Sequence, residues 1–185
     1  MNFPQLTTER LLLTQLTQDD ATAILELFSN SQVIEYYDLS EFTEISQATD
    51  LIHFFQKRFT DATGIRWGIR LKQSNQLIGT CGFNSWSPAM KNGVIGYDLH
   101  PKFWRQGLAF EAVQAIVKAA FAGDLACGAI HRIQADTVPG NSASETLLEK
   151  LGFKLEGIRR ESGYWKGQFH DLKCFGLLAT EYSMN

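Results

Sequence analysis

Two short segments of this 185-residue chain combine residue types at spacings that suit chemistry. The first is Trp104-Arg105-Gln106-Gly107-Leu108-Ala109, between a strand-like run at 94–99 and a helical pattern at 107–122. The first backbone N–H groups of a helix have no partner within it, and the helix dipole adds positive charge at the same end. Together they make an anion site. Gly107 and Ala109 are small enough for a diphosphate to approach the backbone, and Arg105 adds a charge nearby. The competing reading is a plain strand–loop–helix connection with a turn glycine. No Gly-Lys-Ser/Thr follows, so this is not a Walker loop. It is also not Gly-x-Gly-x-x-Gly, which removes a nucleotide-hydride reading.

The second segment runs from His131-Arg132-Ile133 through Gln134-Ala135-Asp136-Thr137 to Asn141-Ser142-Ala143-Ser144, and then Leu147-Leu148-Glu149-Lys150-Leu151-Gly152-Phe153. Asn141 is a good N-cap for a helix starting at Ser142. Gly152 is well placed to close that helix in the left-handed region.

The elements that must position these segments follow from periodicity and turn signals. Residues 10–16 read as an opening strand. Residues 21–28 form a helix after the cap-like Gln18-Asp19-Asp20, and residues 45–60 form a second, with Ala48, Leu51, Ile52, Phe55 and Phe59 at helical spacing. Strand-like runs occupy 66–71, 77–83 and 94–99, separated by Gln73-Ser74-Asn75 and Met90-Lys91-Asn92-Gly93. Then come the helix at 107–122, a strand at 132–135, a helix at 142–151 and a strand from 153. A final hairpin turns at Lys166-Gly167, with its last strand at 172–178. This order predicts one α/β (α+β) domain over residues 1–185, a mixed, mostly antiparallel sheet of about seven strands with flanking helices.

The first segment resembles the coenzyme-A loop, Gln/Arg-x-x-Gly-x-Gly/Ala, of the GCN5-related N-acetyltransferases (GNAT). The second resembles that superfamily's Asn-x-x-Ser…Leu-Gly-Phe element. TERLLL near the start, IGY before the loop, GLAFEA after it, and Gly167-x-x-His170-Asp171 are similar to the RimJ/RimL branch, which acetylates N-termini of ribosomal proteins. The loop's first slot, nominally Gln or Arg, is Trp104 here.

The resemblance implies the GNAT fold, acetyl-CoA as co-substrate and direct attack by a free amine in a ternary complex. It places Arg105, Gln106, Gly107, Leu108, Ala109 and Asn141 at the coenzyme. It also places Asp98 and Leu99 at the pantetheine arm, where the fourth strand of the family splays from the fifth. Ser144 falls where related enzymes hold a serine that protonates the departing thiolate. An interior serine bonded only to the backbone is the competing reading. The family's glutamate base aligns with Gly163, leaving Glu161, Asp98 and Asp171 as carboxylates; Glu161 is the candidate base.

The attacking amine must be neutral. An α-amine of pKa about 7.7–8.0 is roughly a tenth neutral at pH 7, whereas a lysine amine at about 10.4 is roughly 0.04% neutral. The gap amounts to roughly 3–3.5 kcal/mol that a base must otherwise supply. A protein or peptide N-terminal α-amine is therefore the expected acceptor. A ribosomal-protein N-terminus is the example the resemblance suggests. A polyamine, aminoglycoside or amino acid is the alternative, as is an acetyl-CoA-binding sensor without catalysis. The first helices and the Trp165-Lys166-Gly167 hairpin are expected to wall the acceptor pocket. Glu35, Tyr36, Tyr37, Asp38 and Trp86 are possible lining residues, though ordinary packing explains such a cluster equally well.

Composition bounds the rest. A formal net charge of −3 argues against a nucleic-acid surface. Three scattered cysteines and four histidines show no metal-ligand spacing, so no metal is expected. The N-terminal residues lack a signal-peptide pattern and no stretch is long enough to span a bilayer, so a cytoplasmic protein off the membrane is expected. Family members occur as monomers and homodimers, and both remain open.

Overall fold

Apolar alternation builds one eight-stranded sheet, and amphipathic helices cover it. The computed structural model describes residues 2–182. The order is β1 (Leu6–Thr7), β2 (Leu11–Gln15), α1 (Ala21–Phe28), α2 (Ser31–Ile34), α3 (Ile45–Thr60), β3 (Ile65–Leu71), β4 (Leu77–Ser87) and β5 (Asn92–Leu99). Then follow α4 (Leu108–Ala122), β6 (Arg132–Thr137), α5 (Ser142–Lys150), β7 (Lys154–Trp165) and β8 (Gln168–Leu178). Across the sheet the strands run β1-β2-β3-β4-β5-β6-β8-β7. All neighbours are antiparallel except β5 and β6.

The helices α1 and α3 match their sequence expectation residue for residue. The eighth strand, β1, is the difference from the expected count: two residues are too short to show a period. The single turn of α2 escaped for the same reason. The last hairpin is longer than expected, because β7 is an edge strand whose residues are nearly all exposed and show little alternation.

The β5–β6 pair sets up the site. Their parallel register covers only Asn92↔Arg132, Gly93↔Ile133 and Val94↔Gln134. Beyond it β5 stays with β4 as far as Leu99, while β6 stays with β8 as far as Thr137. The two strands diverge, and the facing backbone of each is left without a strand partner. The splay that the resemblance implied is therefore present.

Helix α4 follows β5 and packs on β1, β2, β4 and β5. It buries Leu108, Ala112, Val113, Ile116, Val117, Ala119 and Ala120, a broad apolar stripe at helical spacing. The stripe packs on Leu11, Leu13, Trp67, Ile69, Ile95 and Ile133 of the sheet. Helices α1 and α3 form a second core with Leu16, Ile24, Phe28, Ala48 and Ile52. Strand alternation then separates the two sides. Trp67 and Tyr97 belong to the α4 core, while Arg66 and Asp98 point toward α3 and the loop after α2.

Ile116 is fully buried at the centre of the α4 stripe. Ile116→Ala is expected to lower stability by about 2–5 kcal/mol through lost burial and a residual cavity. A urea titration would read this as an earlier midpoint with an unchanged slope.

Candidate active site

Between β5 and α4 the chain makes a 3-10 turn at Pro101–Phe103 and then the exposed loop of residues 104–107. The Trp104 indole N–H donates to the Leu99 carbonyl at 2.6 Å, pinning the loop to the end of β5. This accounts for an aromatic residue in a slot that is Gln or Arg elsewhere: its work is structural. Arg105 (φ 60°) and Gly107 (φ 76°) are both left-handed. That geometry favours glycine at 107 and turns successive N–H groups to one side, as in anion-binding nests. Among the described residues, the N–H groups of Gly107, Leu108, Ala109 and Phe110 find no hydrogen-bond acceptor. They sit at the N-terminus of a 15-residue helix and beside the Arg105 charge, a donor set that fits a diphosphate.

Arg10 braces this loop from the far end of the chain. Its guanidinium donates to the Gln106 carbonyl (2.9 Å) and to Glu111 in the first turn of α4 (2.7 Å). The Arg10 N–H and the Thr8 hydroxyl also donate to Glu111. Burial alone would raise the Glu111 pKa, but these hydrogen bonds and the Arg10 charge hold it below the usual carboxylate range. The position of Arg10 within TERLLL thus has a physical role, which no short-range pattern announces.

On the α5 side of the opening, Asn141 caps α5 by accepting from the Ser144 N–H at 3.3 Å. The Ser144 hydroxyl lies 2.6 Å from the Tyr97 hydroxyl of β5. It is turned into the cavity and toward Tyr97, not back along its own helix. Burial raises the Tyr97 pKa, opposed by the Ser144 hydrogen bond, so the phenol stays protonated. Thr137, at the end of β6, is 4% exposed, and its hydroxyl has no partner among the described residues.

Hydrogen bonding along β5 decides which backbone groups face the gap. The His100 N–H donates to the Ile78 carbonyl of the β4 side (2.8 Å), so two-residue alternation turns the Asp98 backbone to β4 as well. The backbone groups of Tyr97 and Leu99 then face the gap. Asp98, expected at the pantetheine arm, is thereby displaced from it: its backbone serves β4 and its side chain enters the opposite face of the sheet. There it makes a buried ion pair with Arg66 at 2.5 Å. Thr80 donates to it through both its N–H (2.9 Å) and its hydroxyl (2.8 Å). Arg66 also donates to the Thr80 hydroxyl (2.7 Å), Asn84 Oδ1 (3.1 Å) and the Tyr37 hydroxyl (3.1 Å). Beneath this network, burial pushes the Cys81 thiol up to about 12, so it remains an unreactive core group.

A cavity of about 500 Å³ joins the two sides. Tyr97, Asn141, Ser144 and Thr137 line it at the splay, and Tyr37, Leu39, Leu51, Phe54, Phe55 and Trp165 line it toward α3 and the hairpin. Tyr36 and Asp38 also reach it, whereas Trp86 is buried in the core with its indole bonded to the Ala62 carbonyl. Lys166 closes one edge by donating to the Ile34 carbonyl at the end of α2 (2.6 Å).

The candidate base Glu161 is not brought in. It is exposed on β7 at a register shift, its N–H donates to Asp171 (2.8 Å), and it does not line the cavity. At Gly163, the position of the family's glutamate, a Cβ would lie 2.0 Å from the Trp165 ring. Trp165 stacks on His170 at 4.0 Å, so an indole covers the place where that carboxylate would stand. Among the described residues no group of side chains could hold a metal ion, and no helix is long and apolar enough to cross a membrane.

Residues 10–154 match the family model described as the acetyltransferase (GNAT) domain. The uncharacterized N-acetyltransferase YoaA of Bacillus subtilis (strain 168) is 38% identical over 95% of this chain and 97% of its own length. The [ribosomal protein uS5]-alanine N-acetyltransferase of Escherichia coli (strain K12) is 27% identical over 72% of this chain and 66% of its own. Among solved structures, RimL, described as a ribosomal L7/L12 alpha-N-protein acetyltransferase in complex with coenzyme A, superposes with a TM-score of 0.82. It shares 21% identity over 95% of this chain and 98% of that one. This chain belongs to the GNAT acetyltransferase family. It is an acyltransferase that uses acetyl-CoA to acetylate an amine nitrogen.

The brace on α4 carries a pH dependence. Because the Glu111 pKa is lowered on folding, its contribution is fully present above the unfolded value of about 4.3 and is lost as pH falls through the folded value. The difference in urea midpoint between the unsubstituted protein and Glu111→Gln should therefore be full at pH 6 and shrink steadily toward pH 3. A difference that does not change with pH would remove Glu111 from the brace.

Proposed function

We propose that the acceptor is the N-terminal α-amine of a protein or peptide, which attacks the thioester carbonyl directly while acetyl-CoA occupies the splay. The observation that carries this reading is the state of the carboxylates around the cavity. Asp98 is committed to Arg66, Asp136 is held by Arg159, and Asp38 is exposed. Among the described residues no buried, uncommitted carboxylate stands at the cavity to strip a proton from a lysine-type ammonium. An α-amine needs the least help, because a substantial fraction is already neutral at pH 7. The name of the Escherichia coli relative supports the same class and makes a ribosomal-protein N-terminus the first acceptor to try.

The coenzyme supplies the acetyl group as a thioester. In this reading the N–H groups of Gly107, Leu108 and Ala109, with Arg105 and Gln106 alongside, hold the diphosphate. The Tyr97 backbone and the Leu99 N–H, whose own carbonyl is taken by Trp104, hold the pantetheine arm and orient the thioester carbonyl, where preformed donors act most strongly. Asn141 keeps α5 capped at the edge of the same opening. The Tyr97 hydroxyl reaches both the Ser144 carbonyl (3.3 Å) and the Ser144 hydroxyl (2.6 Å); with the phenol as donor in this pair, the Ser144 O–H is free to donate to the sulfur as the C–S bond breaks.

Coenzyme A release measured across a panel of amines tests the acceptor. Peptides with a free α-amine should turn over and carry the acetyl group there by mass spectrometry, whereas N-terminally blocked peptides containing lysine should not. Equal transfer to lysine would overturn the α-amine assignment. Ser144→Ala should lower kcat by on the order of a hundredfold while leaving acetyl-CoA affinity within a few-fold. An unchanged kcat would make Ser144 a structural residue.

A further inference from the structure

The α3 side of the cavity presents hydrogen-bond donors, and their orientation is not free to change. Arg66 can only donate, so the Asn84 oxygen must face it, at 3.1 Å from Nη1. The Asn84 NH₂ is therefore the end that remains, and it lies across the middle of β5. A Cβ on Gly96 would sit 2.7 Å from Asn84 Nδ2 and 3.0 Å from Arg66 Nη1. Only a residue without a side chain lets the amide cross the strand there. Asn84 is exposed into the cavity, and its Nδ2 donates to no described residue. Arg58, from α3, lines the same cavity with its guanidinium 4.8 Å over the Phe54 ring, and it has no acidic partner among the described residues.

A polyamine offers only cations and donors. Against this wall it would leave the Asn84 NH₂ unmatched and bring like charge to Arg58, which costs binding rather than adding to it. The complementary group is an oxygen acceptor close to the amine. Leu39, Leu51, Phe54 and Phe55 add an apolar wall beside these donors. Asp38 stands exposed at the same cavity, where it attracts the incoming amine, and Asp136 is already held by Arg159.

We propose that Asn84 and Arg58 form an acceptor subsite that reads the carbonyl or carboxylate adjoining the amine. The acceptor is then an α-aminoacyl group with an apolar side chain, borne by a peptide N-terminus or a free amino acid. This rests on the acetyltransferase reading of the cavity. It adds which residues select the acceptor and which amines they reject.

The test measures kcat/KM for Phe-Gly-Gly, free phenylalanine, phenethylamine and spermidine, with acetyl-CoA binding followed by calorimetry. Phenethylamine keeps the apolar body and the amine but lacks the carbonyl. Asn84→Leu should lower kcat/KM for the two aminoacyl probes by about tenfold, chiefly through KM. Its loss on phenethylamine should be clearly smaller, because the partner removed from Arg66 is common to all probes, and acetyl-CoA affinity should stay within a few-fold. Comparing variants on one substrate cancels the differences in amine pKa. Arg58→Met should act in the same sense and improve spermidine relative to Phe-Gly-Gly. The ratio of free phenylalanine to Phe-Gly-Gly in the unsubstituted enzyme distinguishes the two sources of the aminoacyl group. Equal losses on phenethylamine and the peptide, no loss at all, or spermidine as the best acceptor would overturn the subsite. No transfer to any probe by an unsubstituted enzyme that binds acetyl-CoA would instead remove the reading beneath it.

Discussion

The Arg66–Asp98 ion pair ties β3 to β5 across β4 at the point where β5 has already left β6. Removing two charges from water costs several kcal/mol per ion, and their attraction offsets this only when the remaining hydrogen-bonding groups are satisfied. Here Thr80 donates twice to Asp98 and accepts from Arg66, while Tyr37 and Asn84 take the outer guanidinium nitrogens. The network serves two surfaces together. It keeps β5 on β4 while the other edge of β5 stands open beyond its pairing with β6, and it orients the polar groups that line the cavity toward α3.

The start of α4 depends on a different constraint, an exposed helix terminus that must not collapse onto its own carbonyls. Two residues hold it from outside. Trp104 fastens the loop to Leu99, and Arg10 bonds both the loop carbonyl of Gln106 and the α4 carboxylate Glu111. The N–H groups that remain are therefore preorganised, and an anion meeting them need not reorder the chain. Preorganisation of this kind reduces the entropy lost on binding.

The catalytic face is economical in titratable groups. Burial keeps Tyr97 and Cys81 protonated, and the nearby carboxylates are committed or exposed. An indole stacked on His170 covers the backbone position where a glutamate would align. Such a surface orients and stabilises more than it exchanges protons, which suits the proposed α-amine acceptor, roughly a tenth of which is neutral at pH 7.

Much of this molecule is written locally. The helices α1 and α3, the stop at Gly152, the Asn141 cap and the glycine that opens α4 each depend on a few neighbouring residues. Helical spacing, capping and left-handed turns operate over that range, so the glycine turn that opens α4 was legible without a structure. The coarse order of strands and helices was legible for the same reason, apart from two-residue β1 and the exposed arm of β7, where alternation is missing. The groups that act on each other across the site are far apart in the chain: 32 residues for Arg66 and Asp98, 47 for Tyr97 and Ser144, and 101 for Arg10 and Glu111. Their meeting depends on sheet order and on which face each strand presents, and a single residue of register reverses that face. That is why Asp98 and Leu99 looked equivalent in the sequence, yet Leu99 faces the opening and Asp98 the buried charge. Chain-local physics determined the exposed, glycine-opened start of α4 and the fold class. Only the tertiary packing decided which polar groups are spent on one another and which are left for a substrate.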